Sequence, residues 1–441
     1  MDDKKQIQKE KRELRRKRRI RNQILAYVVL IALILGVAAG VVYGVRQITT
    51  VARRAQEEQE NNQAKIDDML DQEGDIEAPA PAPEAPAEMT DQQKLDEIVN
   101  AGIEVMPLED KVAGLFIIVP EDITGVDTVL RAGDGTKEAL DRYPVGGIIY
   151  FQKNIESEEQ IKEMLNNTQS YSKYPLFLAV DEEGGSVARV ASAGIGPKVD
   201  SAQVIGGTGD AANAYAAGVT VGTSLSGLGF NLDFAPVADV ASVEDSIMAG
   251  RSYGSDAQTV SPFVVSMMQG LEEQNVTACL KHFPGNGATT QDAHTGQAVS
   301  ERTAEEFRAQ EFTVFQAGID AGANMIMVSH MVAPGLTGSD DRVPCSLSGK
   351  VVTDTLRGEL GYDGVIITDA LNMGAITEYY SSEDAAIYAL KAGCDMLLMP
   401  EDFEEAYNGV LQAVRDGVIS EERINDSLRR IYRIKWADKL E

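Results

Sequence analysis

The residues whose types and spacing point most directly to chemistry are the histidines and the carboxylates near them. The chain has three histidines, and His282 and His294 lie in one glycine-rich stretch, residues 281–296. Asp292 stands two residues before His294. An imidazole can donate and then accept a proton near neutral pH, and an adjacent carboxylate can fix its tautomer. Asp292 and His294 are therefore a candidate proton-transfer pair; the alternative is that both are solvated loop residues.

Other ionisable side chains close short apolar runs that are typical of buried strands. Asp181, His282 and Asp369 each end such a run, Lys281 precedes His282, and His330 lies within another run. The eight runs span residues 115–120, 146–151, 176–181, 230–240, 277–284, 324–332, 364–371 and 395–400. Segments with helical patterns separate most of them, so the body alternates between strands and helices.

This alternation predicts parallel strand pairing through right-handed crossovers. Eight such units predict a single (β/α)8 barrel of the TIM type within residues 91–441. An open doubly wound sheet is the alternative, but it would need a glycine turn after the first strand, which residues 119–122 lack. Because the carboxyl ends of barrel strands meet at one face, the ionisable strand ends predict a polar active site there.

A ring of Asp, His, Lys and Arg supports two classes of hydrolysis. In glycoside hydrolysis one carboxylate attacks the anomeric carbon and a second group protonates the leaving oxygen. Asp369 suits the nucleophile, and His294 suits the acid/base. In metal-assisted hydrolysis the ligands would be His282, His294, His330 and Asp369. Barrel metallohydrolases usually begin with His-x-His at an early strand, and the first three runs contain no histidine, so glycoside hydrolysis is favoured.

Six motifs follow one another along the body. They are GGIIYF at 146–151, DEEGG at 181–185, NLDFAPVADV at 231–240, RSYG at 251–254, KHFPG at 281–285 and GVIITDALNM at 364–373. Together and in this order they resemble glycoside hydrolase family 3, and within it the NagZ-like β-N-acetylhexosaminidases. The resemblance begins near Met106 and runs to the C-terminus.

The resemblance implies a role for each matching residue. Asp369 matches the nucleophile that forms a covalent glycosyl-enzyme, and Asp292 and His294 match the loop dyad that transfers the proton. Family 3 glucosidases take their acid/base from a second domain, for which the roughly 40 residues after the last run leave no room. The positions matching the groups that bind N-acetylglucosamine are Asp181, Arg189, Arg251, Lys281 and His282. The resemblance implies no metal or organic cofactor.

Two positions depart from the family's usual residues: Asn286 stands in place of a histidine and Ser186 in place of an arginine. The first could change the mobility of the loop, and the second could change the rim of the sugar site. We expect a retaining exo-β-N-acetylglucosaminidase that releases N-acetylglucosamine from peptidoglycan-derived or related glycans. The alternatives are a barrel that binds glycan without turnover and a family 3 β-glycosidase or phosphorylase with a different sugar preference.

The N-terminal 90 residues differ in composition from the body. Residues 1–23 form a basic tail, and residues 1–22 hold eleven Lys and Arg against four acids. Residues 24–45 carry no charge and are long enough to cross a bilayer as a helix. Their length favours a transmembrane helix over a cleavable signal peptide, and the preceding positive charges place the N-terminus in the cytoplasm. Residues 46–90, polar and then rich in Pro and Ala, predict a stalk.

The partners expected from this composition are a glycan and, through residues 24–45, the cell membrane. Outside residues 1–22 the chain has 29 Lys and Arg against 65 Asp and Glu, which argues against nucleic acid as a partner. The body would then lie outside the cytoplasm. The three cysteines do not predict a disulfide framework, although one pair could form.

Overall fold

Eight parallel strands close into a barrel in the computed structural model, which describes residues 89–293, 296–338 and 342–437. The barrel strands are β1 (Phe116–Ile118), β2 (Gly147–Ile149), β3 (Phe177–Val180), β6 (Leu232–Asp233), β7 (Thr277–Phe283), β8 (Met325–Val328), β9 (Val365–Ala370) and β10 (Met396–Leu398). They neighbour one another in chain order, and β10 closes the barrel against β1. The predicted eight-stranded barrel is confirmed, and each strand falls within one of the eight predicted runs.

Helices cover the outside of the barrel and connect its strands. They are α1 (Asp91–Glu104), α2 (Leu108–Ala113), α3 (Pro120–Thr124), α4 (Asp134–Arg142), α5 (Glu158–Tyr171), α6 (Arg189–Ser192), α7 (Ala202–Gly206), α8 (Ala212–Leu228), α9 (Ala257–Glu272), α10 (Ala304–Ala309), α11 (Glu311–Asp320), α12 (Pro334–Thr337), α13 (Gly374–Thr377), α14 (Ser382–Ala392), α15 (Phe403–Arg415) and α16 (Glu421–Lys435). Side-chain caps fix several starts; the Ser157 hydroxyl, for example, accepts from the Gln160 N–H before α5.

Three local features differ from the sequence pattern. Residues 303–321 form two helices rather than one, because Gln310 leaves the helical conformation and its side chain accepts from the Ala257 N–H at 3.1 Å. Lys350–Glu359 is a π-helix. After β3 the chain forms a small antiparallel hairpin, β4 (Glu182–Gly184) and β5 (Val187–Ala188), which lies outside the barrel sheet.

The amino-terminal end of the barrel is held by a buried charge cluster. Asp395 is fully buried, its carboxylate accepts from the Ile366 N–H and the Ser427 hydroxyl, and it also bonds the Arg357 guanidinium. A cavity of about 1310 Å³ opens at this end, and none of the described ionisable residues expected at the active site lines it. This end of the barrel therefore serves stability, as is usual in this fold.

The cysteines and the membrane prediction complete the comparison. Cys279, Cys345 and Cys394 are all buried and unpaired, so the pair that the sequence left open does not form.

Within residues 89–293, 296–338 and 342–437, no helix has the length and apolar character needed to cross a bilayer. The predicted transmembrane helix at 24–45, the basic tail and the stalk up to residue 88 lie outside the described residues.

Candidate functional site

A buried network of charges lies at the carboxyl end of the barrel around Lys281, near the end of β7. The Lys281 ammonium contacts Asp181 Oδ1 at 2.8 Å and Glu183 Oε1 at 2.7 Å. Arg251, in the loop between β6 and α9, binds Glu183 through two parallel bonds of 2.8 and 2.6 Å. The β4–β5 hairpin thus brings Glu183 to a point where it orients two of the cations predicted to bind sugar.

The pKa shifts in this network follow from burial and charge. Burial raises the pKa of Glu183, but Lys281 and Arg251 lower it by more, to about 2. Burial likewise opposes the charge of Lys281, and Asp181 and Glu183 outweigh it, so the pKa of Lys281 is raised. Glu183, Lys281 and Arg251 are therefore charged at neutral pH, and the positions of the two cations are fixed before any ligand arrives.

Two further carboxyls lie beneath the network. Asp233, at the end of β6, is fully buried; one oxygen accepts from the Glu182 N–H at 2.9 Å and the other has no partner in the described part of the chain. Burial raises the pKa of Asp233 well above its ordinary value, so the surroundings favour its neutral form. Glu182 has a structural role, because its carboxylate accepts from the Val190 and Ala191 N–H groups at the start of α6.

Arg189 begins α6 and offers a free donor beside this network. Its guanidinium lies over the Phe151 ring at 5.6 Å, and its backbone N–H donates to the Asp181 carbonyl at 3.2 Å. The Nε atom is buried without a hydrogen-bond partner among the described residues. Since buried donors are normally satisfied, this atom indicates a place where a ligand oxygen binds.

His282 is oriented by Asp239, a fully buried carboxylate after β6. The His282 Nδ1 lies 2.8 Å from Asp239 Oδ2, and Asp239 Oδ1 also accepts from the backbone N–H of Asn286 at 2.6 Å. Because an ionised carboxylate only accepts, Nδ1 is the nitrogen that carries the proton toward Asp239. The arrangement fixes the imidazole beside Lys281, as expected for a residue that binds substrate.

Asp369 lies near the end of β9 and is half-buried at the same face. Its Oδ1 accepts from the Ala370 N–H at 2.8 Å. Burial raises its pKa, while the imidazoles of His282 and His330 and this N–H lower it by more, so the pKa ends below its ordinary value. Asp369 is therefore ionised at neutral pH, which a carboxylate nucleophile requires.

The loop that follows β7 is anchored at its start by Asn286. The Asn286 amide oxygen accepts from the buried Ser329 hydroxyl at 2.6 Å, and its backbone N–H is held by Asp239. Ser329 lies just after β8, so the contact joins two neighbouring strand ends. The departure noted at Asn286 thus places a buried, fully bonded residue at the base of the loop.

A second anchor lies behind the same loop. Gly285 has φ +134°, and a Cβ atom there would lie 2.2 Å from Cγ of Glu311, so only glycine fits. Glu311 is fully buried at the start of α11, and Arg302 Nε lies 3.2 Å from its Oε1. Arg302 also donates to the Ser242 hydroxyl at 2.5 Å. Arg302, at the far end of the loop that follows β7, therefore contacts both the start of α11 and the segment after β6.

The middle of the loop contacts the segment that follows Asp369. The Ala375 N–H, in α13, donates to the Ala293 carbonyl at 3.1 Å, and both residues are buried. Ala293 stands between Asp292 and His294. His294 itself lies outside the described residues, so its distance to Asp369 is not part of this geometry. The contact joins the segment that carries the predicted dyad to the helix α13 that follows the predicted nucleophile.

The predicted binding residues Asp181, Arg251 and Lys281 thus lie in one bonded network with Glu183. His282, the chain neighbour of Lys281, is bonded to Asp239, and Arg189 borders the network. Sequence reasoning did not assign roles to Glu183, Asp239 as the partner of His282, or Ser329. Glu183 and Asp239 could have been found from their positions at strand ends. Nothing in the sequence pairs Ser329 with Asn286. Among the described residues, no group of three or more His, Cys, Asp and Glu has a metal-binding arrangement.

An ionised carboxylate at a strand end, facing a preformed polar network in a (β/α)8 barrel, defines a carbohydrate-active barrel enzyme by fold and site. Residues 107–434 match the family model described as the glycosyl hydrolase family 3 N-terminal domain. The chain therefore belongs to glycosyl hydrolase family 3.

Named relatives agree with this assignment. The chain is 31% identical to beta-hexosaminidase A of Pseudoalteromonas piscicida over 68% of its own length and 54% of that protein. It is 31% identical to the beta-hexosaminidase of Stenotrophomonas maltophilia over 62% of its own length and 82% of that protein. A family 3 β-N-acetylglucosaminidase from Paenibacillus sp. superposes with a TM-score of 0.70 at 32% identity, over 76% of this chain and 63% of that one. The chain thus spans about half to two thirds of two of these relatives.

Proposed function

We propose that the protein is a retaining exo-β-N-acetylglucosaminidase. The observation that carries this proposal is an ionised Asp369 beside a network of oriented, buried charges, with the loop segment around Ala293 bonded to the α13 segment behind it. The names of the relatives support the β-hexosaminidase class, and the peptidoglycan-derived substrate rests on the sequence resemblance alone.

The reaction has two displacements at the anomeric carbon. Asp369 attacks that carbon as the glycosidic bond breaks, and His294 donates its proton to the departing oxygen. The product of this step is a glycosyl ester of Asp369. His294 then takes a proton from water, the water oxygen attacks the anomeric carbon, and Asp369 leaves as a carboxylate. Asp292 would hold the His294 tautomer throughout.

The sugar would be held by hydrogen bonds that its oxygens accept from Lys281, His282, Arg189 and Arg251, and by a hydrogen bond that one of its hydroxyls donates to Asp181. Lys281 and Arg251 are already held in place by Glu183, so little conformational entropy is lost on binding.

We also propose that residues 24–45 anchor the protein in the cell membrane, with a cytoplasmic N-terminus and an extracytoplasmic body on the stalk. Fractionation of cells followed by protease treatment of intact spheroplasts tests this arrangement. Recovery of the full-length chain in the soluble fraction would contradict the anchor. A body protected from the protease would contradict the orientation.

The catalytic proposal is tested with a panel of aryl N-acetylglucosaminides and aryl glucosides, with and without phosphate. We expect release from the N-acetylglucosaminides, loss of at least about 10³-fold in kcat for Asp369→Ala, and little change for Glu378→Ala, an exposed carboxylate nearby. A slow substrate should leave one glycosyl group on Asp369, visible by mass spectrometry of the peptide. Full activity of Asp369→Ala would exclude it as nucleophile, and preference for glucosides or phosphate would change the assigned substrate.

The role of His294 is tested by leaving-group dependence. His294→Ala should slow substrates with poor leaving groups far more than activated aryl glycosides, because a good leaving group needs little protonation. Equal losses on both kinds of substrate would contradict an acid/base role. Binding of N-acetylglucosamine without turnover by the wild-type protein would instead support a glycan-binding barrel.

A further inference from the structure

His330 is a buried histidine beside the nucleophile strand that the proposed reaction does not use. It follows β8 by two residues, and its side chain is fully inaccessible to solvent. Both ring nitrogens are bonded within the protein: Nδ1 lies 2.7 Å from the Ser346 hydroxyl and Nε2 lies 2.9 Å from the Ala370 carbonyl. A buried imidazole with two such partners has a single orientation.

The two contacts also determine the tautomer of His330. A carbonyl oxygen can only accept, so Nε2 carries the hydrogen and donates it to Ala370. The neutral ring then accepts at Nδ1, and the Ser346 hydroxyl must be the donor. Burial lowers the pKa of His330, although Asp369 acts in the opposite direction, so the ring is neutral at neutral pH. The Nε2 donor therefore persists over the range in which the enzyme would work.

Ala370 connects His330 to the carboxylate of Asp369. The N–H of Ala370 donates to Asp369 Oδ1, and its carbonyl accepts from His330. On the opposite side, the N–H of the next residue, Leu371, donates to the Leu398 carbonyl of β10 at 2.8 Å. The end of β9 is thus held from both neighbouring strands, by a backbone bond on one side and by His330 on the other.

Ser346 is itself held firmly. Its backbone N–H donates to the Ser329 carbonyl at 3.0 Å, and its own carbonyl accepts from the Cys394 thiol at 3.4 Å. The segment that contains Ser346 therefore runs beside the residues after β8, and its hydroxyl reaches His330 without any rearrangement.

We propose that His330 is a positioning residue for the nucleophile: as the Nε2–H tautomer that the Ala370 carbonyl requires, with its ring oriented by Ser346, it fixes Ala370 and thereby the attack orientation of the Asp369 carboxylate. This inference rests on the proposed function, in which Asp369 attacks the anomeric carbon. His330 touches no substrate in this scheme. Its effect falls on the rate of glycosyl-ester formation and not on sugar binding, which belongs to the Lys281 network.

The test compares His330→Gln with His330→Met in the full-length protein. Gln can place an amide donor where Nε2 lies, whereas Met has similar length and no donor. We expect His330→Met to lower kcat on an aryl N-acetylglucosaminide by at least tenfold with KM within about twofold, and His330→Gln to recover most of that loss. Ser346→Ala should lower kcat by about three- to tenfold, also without a change in KM. Thermal melting checks that each variant is folded.

Equal kcat values for the Gln and Met variants, or losses that appear in KM, would overturn the positioning role. If His330→Met does not fold, Ser346→Ala and His330→Gln decide the outcome. A wild-type kcat for Ser346→Ala would overturn the positioning role, and so would a tenfold loss of kcat in a folded His330→Gln. A wild-type protein that cleaves no glycoside refutes the proposed function instead, so the two failures are distinguishable.

Discussion

Neutralising Glu311 should stabilise the protein at alkaline pH. Glu311 is fully buried behind Gly285, and neither carboxylate oxygen makes a hydrogen bond within the described chain. Burial raises its pKa from 4.5 to about 7, even though Arg302 lies close by and lowers it. Asp239 adds to the increase. Glu311→Gln keeps the size of the side chain and removes the ionisation.

The magnitude follows from the two pKa values. A carboxyl whose pKa is raised by folding destabilises the native state as pH rises from its unfolded pKa to its folded pKa, here from 4.5 to about 7. That cost is about 1 kcal/mol at pH 5 and about 3 kcal/mol at pH 8, at 1.36 kcal/mol for each pKa unit. The unfolding free energy of Glu311→Gln relative to wild type should therefore rise by about 2.5 kcal/mol between these two pH values.

Urea unfolding at pH 5 and pH 8 measures this double difference, in which the other carboxylates cancel. The chain's single tryptophan, Trp436, is buried and stacks on Tyr432 at 4.4 Å, so its fluorescence reports loss of the C-terminal helix. Glu305→Gln, an exposed neutralisation in the neighbouring helix, is the matched control and should show no such change. A constant or falling relative stability of Glu311→Gln would mean that the attraction of Arg302 exceeds the cost of burial.

Three further predictions concern the carboxyl end of the barrel. Glu183→Gln should lower the unfolding free energy by about 3 kcal/mol at pH 7, measured by urea unfolding. The reason is that a pKa lowered from 4.5 to about 2 contributes stability above pH 4.5, and this stability is lost as pH falls toward 2. The variant should also have a higher KM, since Lys281 loses a partner. Asn286→Ala should cost about 1–3 kcal/mol by removing the acceptor of the buried Ser329 hydroxyl, which keeps only the Met331 N–H as a partner, and a double-mutant cycle with Ser329→Ala should show less than additive losses. Asp233→Asn should become more stable relative to wild type as pH rises from about 4 to 7, measured by urea unfolding, because a carboxyl whose pKa is raised by folding costs stability above its unfolded pKa; a relative stability that falls with pH would contradict the raised pKa.

The barrel was predictable because its strands follow from local patterns. Each run is apolar, short and bounded by polar or glycine residues, and these properties can be recognised in the local sequence without knowledge of tertiary contacts. One helical region departs from its local pattern. Residues 303–321 carry a continuous helical pattern, yet the helix is interrupted at Gln310. The break is caused by a bond to Ala257, a residue more than fifty positions away, which no local pattern contains.

The same distinction applies to the site. Lys281, His282 and Asp369 were predictable because strand ends at one face of a barrel converge. Their partners were not, because Glu183 reaches Lys281 only through a hairpin whose geometry depends on Gly184 and its contacts. The pKa of each group also depends on burial and on nearby charges, so the pKa values of the adjacent Glu182 and Glu183 shift in opposite directions.

The balance of charge in the network indicates the kind of ligand that fits. Lys281 and Arg251 are each bonded to carboxylates, so neither presents an uncompensated positive charge. Arg189, whose buried Nε has no hydrogen-bond partner among the described residues, offers a further donor beside them. A phosphate or another polyanion would gain little net attraction from Lys281 and Arg251, because Asp181 and Glu183 balance their charges. A neutral ligand with many hydroxyls can instead accept from the cations and donate to the carboxylates, which is the chemistry of a sugar.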